Sequence, residues 1–205
     1  SPDAEATRER LGVPSGKSAL QIMKTTHTPH GGKLSLARML SGTISDATEV
    51  FSSSGATGKV SGIYRMLGKD QSKIPAAEEG ETVALGKLDD VATGDTISTA
   101  KGISALVELD VPSPVFTTAL RPRERKDDVK LSTGLQKLLQ EDPSLSMEQN
   151  QDTGETIISG HGEMHLRVTV ERLEGKYQIP VESHAPQVPY RETIRKSVTQ
   201  RGRHK

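Results

Sequence analysis

The chain has no cysteine and no tryptophan, and only three tyrosines and two phenylalanines among 205 residues. Without cysteine there is no disulfide framework, no Cys-rich zinc site and no thiol nucleophile. With so few rings and 32% hydrophobic residues, one large core is hard to fill, whereas two small cores of Val, Ile and Leu suit the length. Lysine plus arginine equals aspartate plus glutamate, 27 of each, so any polyanion contact must come from a local basic patch. No apolar run approaches the ~20 residues of a membrane span. The start, SPDAEATRERLGV, is polar and charged, unlike a secretory signal, so a cytoplasmic protein is the expectation.

What is present includes two motif look-alikes. GVPSGKS, Gly12 to Ser18, suggests a phosphate loop, but only Val13, Pro14 and Ser15 separate its glycines where four residues are needed. Pro14 also removes an N–H donor, and no strand precedes it. Residues 1–17 therefore read as a flexible lead-in. SGHGEMHL, Ser159 to Leu166, sets His161 and His165 about one helical turn apart, as in zinc proteases. Glu163 falls on the wrong side for the general base of that motif, and a third ligand, for which His184 is the nearest candidate, is not fixed in reach. No metal ligand set is assigned.

From Ser18 to Pro112 short candidate strands alternate with turn signals: ALQIMKT, KLSLARML, TEVFS, KVSGIYRML, ETVALGKL and DTISTA. Many short strands at this spacing predict a closed antiparallel β-barrel over 18–112. Pro112 and Pro114 mark a boundary. Beyond it VFTTAL reads as a strand. A helix follows in DDVKLSTGLQKLLQEDP, striped by Leu131, Leu135, Leu138 and Leu139. A hairpin then turns at Asp152-Thr153-Gly154, and a second helix runs from about His161 to Tyr177. The alternation of Met164, Leu166, Val168 and Val170 also suits a strand, but Leu166, Val170, Leu173 and Tyr177 keep helical spacing over a greater length. A last strand lies in IPVESHAPQVPY. The order β-α-β-β-α-β predicts a ferredoxin-like α+β sandwich over 113–186. The final stretch, YRETIRKSVTQRGRHK, has six basic residues against one acid, Glu192.

Three stretches carry a resemblance to a family: EDPSL, TGETIISGHGEMHLRVTVERL and APQVPYRETI, over about Val115 to Ile194. In order and spacing they resemble the third domain of translation elongation factor G. GKLSLARMLSGTI, EEGETVALG and ATGDTI resemble its second domain more loosely. Departures are His161 for a family Met, Met164 for Leu, Arg167 for Glu and Leu145 for an aromatic. The barrel also lacks the usual phenylalanines. The resemblance implies an excised middle of a GTPase. The GTPase domain, with its GTP and Mg, would precede Ser18, and residues 187–205 would be the truncated start of a fourth domain.

The resemblance further implies a non-catalytic, monomeric fragment without cofactor or membrane contact. Its partners would be the ribosome, through small-subunit ribosomal RNA and protein, and its own GTPase and fourth domains. Ser159, Gly160, Gly162, Glu163 and His165 would form an interdomain hinge that faces the GTPase switches. With Asp142 and Pro143 it would line the cleft where fusidic acid traps the family. Two glycines before a stiff helix give that junction freedom to bend. Candidate RNA contacts are Arg121, Arg123, Arg125 and Lys126, with Arg191, Arg195 and Lys196 in the tail; aromatics are too few for base stacking, so contact would be to phosphate. The competing readings are the same region of a tetracycline-resistance ribosomal protection protein and a His-based metalloenzyme.

Overall fold

The computed structural model describes residues 4–28, 32–68, 70–106, 110–188, 190, 196, 197, 199 and 202, with Arg125 described in its backbone alone. The first part is a β-barrel. Its strands are β1 (Ala19–His27), β2 (Lys33–Ser41), β3 (Thr43–Ser45), β4 (Glu49–Ser52), β5 (Thr57–Lys59), β6 (Ile63–Leu67), β7 (Asp70–Ile74), β8 (Ala76–Glu78), β9 (Thr82–Gly86) and β10 (Thr96–Ser98). Eight of them pair antiparallel in the order β5-β4-β10-β1-β2-β9-β6-β7, and β3 pairs with β8. The sheet closes because β5 runs on into β6. Val60 N–H donates to Thr48 O at the β4 side, and the next N–H, of Ser61, donates to Gly86 O at the end of β9. A Cβ on Gly86 would collide with Ser61 O, so the closure needs glycine there.

Alternation fills the barrel: Leu20, Ile22, Ala37, Met39, Val83, Leu85 and Ile97 point inward into one buried cluster. A register shift between Ile22 and Lys24 leaves Met23 and Lys24 both exposed. Thr25 and His27 are turned back to a buried side.

The lead-in expected to be flexible is a helix, α1 (Ala4–Arg10). Leu11 and Val13 follow it and are buried with Ala19, Ala100 and Ile103. Those two apolar residues anchor a segment whose composition reads as solvated. The GVPSGKS stretch is a pair of turns with Gly12 and Gly16 at positive φ.

The second part is the sandwich: β11 (Phe116–Pro122), α2 (Asp128–Glu141), β12 (Ser146–Gln149), β13 (Thr156–Gly160), α3 (Glu163–Tyr177) and β14 (Val181–His184). Its four strands pair antiparallel in the order β12-β13-β11-β14, the ferredoxin-like order. Leu131, Leu135 and Leu138 of α2 and Leu166 and Leu173 of α3 are buried against Leu120, Ile158 and Val181 of the sheet. Met164 is 64% exposed, so the alternation along GEMHLRVTV is a coincidence on a helix. Arg121 lies in β11, and Arg125–Asp127 form a 3-10 turn that leads into α2. No helix among the described residues is long and apolar enough to cross a membrane.

Candidate functional site: the junction between β13 and α3

Helix α2 ends because Asp142 precedes Pro143, and a residue before proline is pushed out of the helical region. Asp142 accordingly has φ −134° and ψ 97°, while its N–H still bonds Leu138 O. Its carboxylate therefore sits at the negative end of a helix, where a charge of its own sign is disfavoured. Three donors compensate. Ser144 gives its N–H at 3.0 Å and its hydroxyl at 2.5 Å to Oδ1, and His165 Nε2 donates to Oδ2 at 2.9 Å. Burial works against ionisation, yet the Ser144 hydroxyl, His165 and the Ser144 N–H together hold the Asp142 carboxyl below the usual carboxylate range.

His165 stands in the first turn of α3. Its Nδ1 accepts the backbone N–H of His161 at 3.1 Å, which places the ring proton on Nε2, facing Asp142. Both ring nitrogens are thus committed. His161 reaches the other way, and its Nε2 donates to Pro112 O at 3.1 Å in the segment between barrel and sandwich. The chain Pro112–His161–His165–Asp142 joins the interdomain segment, the start of α3 and the end of α2.

The two glycines of the junction are not equivalent. Gly160 closes β13, pairing with Phe116 and accepting Val115 N–H at 2.9 Å. A Cβ on it would lie 2.8 Å from His165 Nδ1 and 2.8 Å from Leu166 Cδ2. Gly162 is the N-cap of α3 with φ 168°, an extended conformation open to any residue, and a Cβ there meets nothing within 4 Å. Gly160 is a close-packing requirement, whereas Gly162 leaves room for a side chain. Ser159 Oγ faces Thr117 Oγ1 at 3.4 Å, and Glu163 places a negative charge in the first turn of α3. Pro143 lines a groove of about 320 Å³ between the two parts, with Lys33 and Asp89 to Thr93 on the barrel side.

Of the three histidines of the metal reading, His161 and His165 stay together, with ring centroids 5.6 Å apart, while His184 stands elsewhere. His184 Nε2 lies 2.7 Å from Glu155 Oε1, away from the His161–His165–Asp142 chain. Among the described residues no three His, Asp or Glu side chains gather as a ligand set.

Three of the basic candidates are paired, and the Arg125 side chain lies outside the described residues. Arg121 lies 3.3 Å from Glu182, Arg123 4.0 Å from Glu174 and Lys126 2.5 Å from Glu124. Such exposed pairs are screened by solvent and hold little stability, so they can open toward phosphate at small cost. Lys196 is exposed, and Arg191 and Arg195 lie outside the described residues. Sequence reasoning missed Ser144, although Asp followed two residues later by Ser is a recognisable side-chain-to-backbone turn. It also missed Glu141, whose partner is 114 residues away.

Comparison with known proteins agrees with this two-part fold. The model of "Elongation factor G domain 2" matches residues 18–100, and that of "Elongation Factor G, domain III" matches residues 111–185. A relative from Synechocystis named "Elongation factor G-like protein" is 44% identical over all 205 residues, which span 30% of that protein. A crystal structure of a protein from Thermus thermophilus superposes with a TM-score of 0.75 at 32% identity, over 93% of this chain and 28% of the other. The chain thus spans less than a third of the relatives it matches.

Proposed function

For a chain that belongs to the elongation factor G-like family through its second and third domains, we propose that these domains dock on the ribosome and relay the state of a GTPase domain to the rest of a longer factor. The barrel and sandwich perform no bond-making step in this reading. GTP and Mg belong to the GTPase domain of the longer protein, which acts in the cytoplasm. The barrel contributes contacts to small-subunit ribosomal RNA, and the β13–α3 junction meets the GTPase domain and a small-subunit protein.

The observation that supports the relay is the polar chain Pro112–His161–His165–Asp142. A relay needs rigid elements joined by directional bonds, with two arrangements of similar energy. Here three elements meet through three hydrogen bonds, which can be exchanged more readily than a packed core can be rearranged. The test is His165→Ala in the full-length protein. Ribosome binding by co-sedimentation should persist, and ribosome-stimulated GTP hydrolysis should uncouple from translocation. Unchanged translocation would overturn the relay, and failure of the unmodified 205-residue chain to co-sediment with small subunits would overturn the docking.

A further inference from the structure

The barrel and the sandwich share no buried apolar cluster among the described residues; each cluster draws its side chains from one part alone. Polar contacts therefore weigh heavily in their relative angle, and one contact stands out. Along β1, strand β10 pairs with Ala19 to Gln21 and the preceding Gly94 and Asp95 bond Ile22, so among the described residues the part of β1 beyond Ile22 has an open strand edge on that side. Open strand edges carry N–H groups that need an acceptor when buried. At His27, the last residue of β1, the acceptor comes from the other domain: Glu141 Oε1, at the end of α2, takes the His27 N–H at 2.7 Å.

The same oxygen lies 2.5 Å from Lys176 Nζ, near the end of α3. The Glu141 side chain is only 10% exposed. Three elements from two domains therefore converge on one carboxylate oxygen. The adjoining contact is weaker: Thr93 Oγ1 reaches Gln140 O at 3.5 Å. Glu141 is also the neighbour of Asp142, which holds the start of α3 through His165. Any displacement of the β13–α3 junction reaches Glu141 across a single peptide.

We propose that Glu141 is an interdomain latch, a carboxylate that satisfies the open edge of the barrel and thereby fixes the angle of the sandwich. Release of His27 frees the sandwich to reorient as a body, while Lys176 keeps the carboxylate paired within the sandwich. The open latch thus leaves the Glu141 charge paired with Lys176, and the closed latch also pairs the His27 N–H. This inference stands independently of ribosome binding.

The absence of cysteine makes the test direct. Spin labels on Lys59→Cys in β5 and Gln151→Cys at the hairpin tip report the distance between the two parts. The otherwise unmodified chain should give one narrow distance distribution. Glu141→Ala should at least double its width, with the helical circular dichroism signal retained. His27→Leu, which keeps the backbone N–H and removes only the imidazole Nδ1 that lies 3.4 Å from the same oxygen, should leave it unchanged. Superposition of the Glu141→Ala and unmodified distributions would overturn the latch. Amide exchange at His27 in the unmodified chain gives a second reading that no folding defect can obscure. Exchange at least roughly 100-fold slower than a solvated amide is expected, and exchange at the solvated rate would also overturn the proposal.

Discussion

Placing a methyl group on Gly160 and then on Gly162 separates close packing from hinge freedom at the β13–α3 junction. In Gly160→Ala the new Cβ would sit 2.8 Å from both His165 Nδ1 and Leu166 Cδ2. Those distances are well inside van der Waals contact, so the His165 ring and the Leu166 side chain must shift. Overpacking of this kind costs roughly 1–3 kcal/mol. Displacing His165 also strains the bond to the Asp142 carboxylate, and hydrogen bonds to charged groups are worth roughly 1.5–3 kcal/mol. The two terms share one side chain and do not add, so a loss of about 2–3 kcal/mol is expected. In Gly162→Ala the methyl enters open space on extended backbone. A weaker N-cap is offset by a less flexible unfolded chain, and the net change should stay within about 0.5 kcal/mol. Helix α2 and helix α3 both lie in the sandwich, so urea unfolding followed by helical circular dichroism reports mainly on that part. A lowered midpoint for Gly160→Ala with an unshifted one for Gly162→Ala is the predicted pair. Equal shifts, or a Gly160→Ala chain as stable as the original, would refute the steric account.

Three further predictions follow from single side chains. The Asp142 carboxyl is held below its unfolded value of 3.8, so its contribution is complete above that pH and is lost as pH falls through the lower folded value. Asp142→Asn should flatten the acid limb of a stability–pH curve, and an unchanged limb would contradict the pairing with Ser144 and His165. Burial pushes the His27 imidazole below 6.5, more than Glu141 pulls it up, with Lys176 and Lys137 also lowering it. Protons then favour the unfolded chain, and stability should decline from about pH 6.5 downward until the folded value is passed. His27→Leu should remove that decline in chemical denaturation between about pH 7 and 5. Among the described residues the Tyr177 hydroxyl is buried without a hydrogen-bond partner, and burial, aided by Glu141, raises it to about 12. Tyr177→Phe should keep the ring contacts of Lys137 and Lys176 and leave stability equal or higher by up to about 1 kcal/mol, as read by thermal unfolding. A loss beyond about 1 kcal/mol would mean that the hydroxyl has a partner.

The parts of this molecule that sequence reading finds are those whose signal is local. Leu131, Leu135 and Leu138 recur at helical spacing and do line the core. Strand β7, Asp70–Ile74, leaves no such trace, because four of its five residues are exposed and Ile74 alone of them packs against the barrel core, beside the backbone pairing with β6. Strands β3, β5 and β8 are three residues each, too short for a period to register. Helix α1 is seven charged or small residues, stabilised by the two apolar residues beyond it. The site divides in the same way. The resemblance singles out Asp142, Gly160, Gly162 and His165, but it treats the glycines alike. Only the neighbourhood of each Cβ distinguishes the residue that must be glycine from the one that need not be. The Glu141–His27 contact has no local signature at all. A glutamate ending one helix and an open strand edge 114 residues earlier become partners through the docking of two domains. Closing a contact over that separation costs chain entropy without any propensity to reveal it. Such long-range polar contacts are also the ones a moving factor can break singly, because neither domain's own core depends on them. What is least legible in the sequence is therefore where a change of shape should be sought.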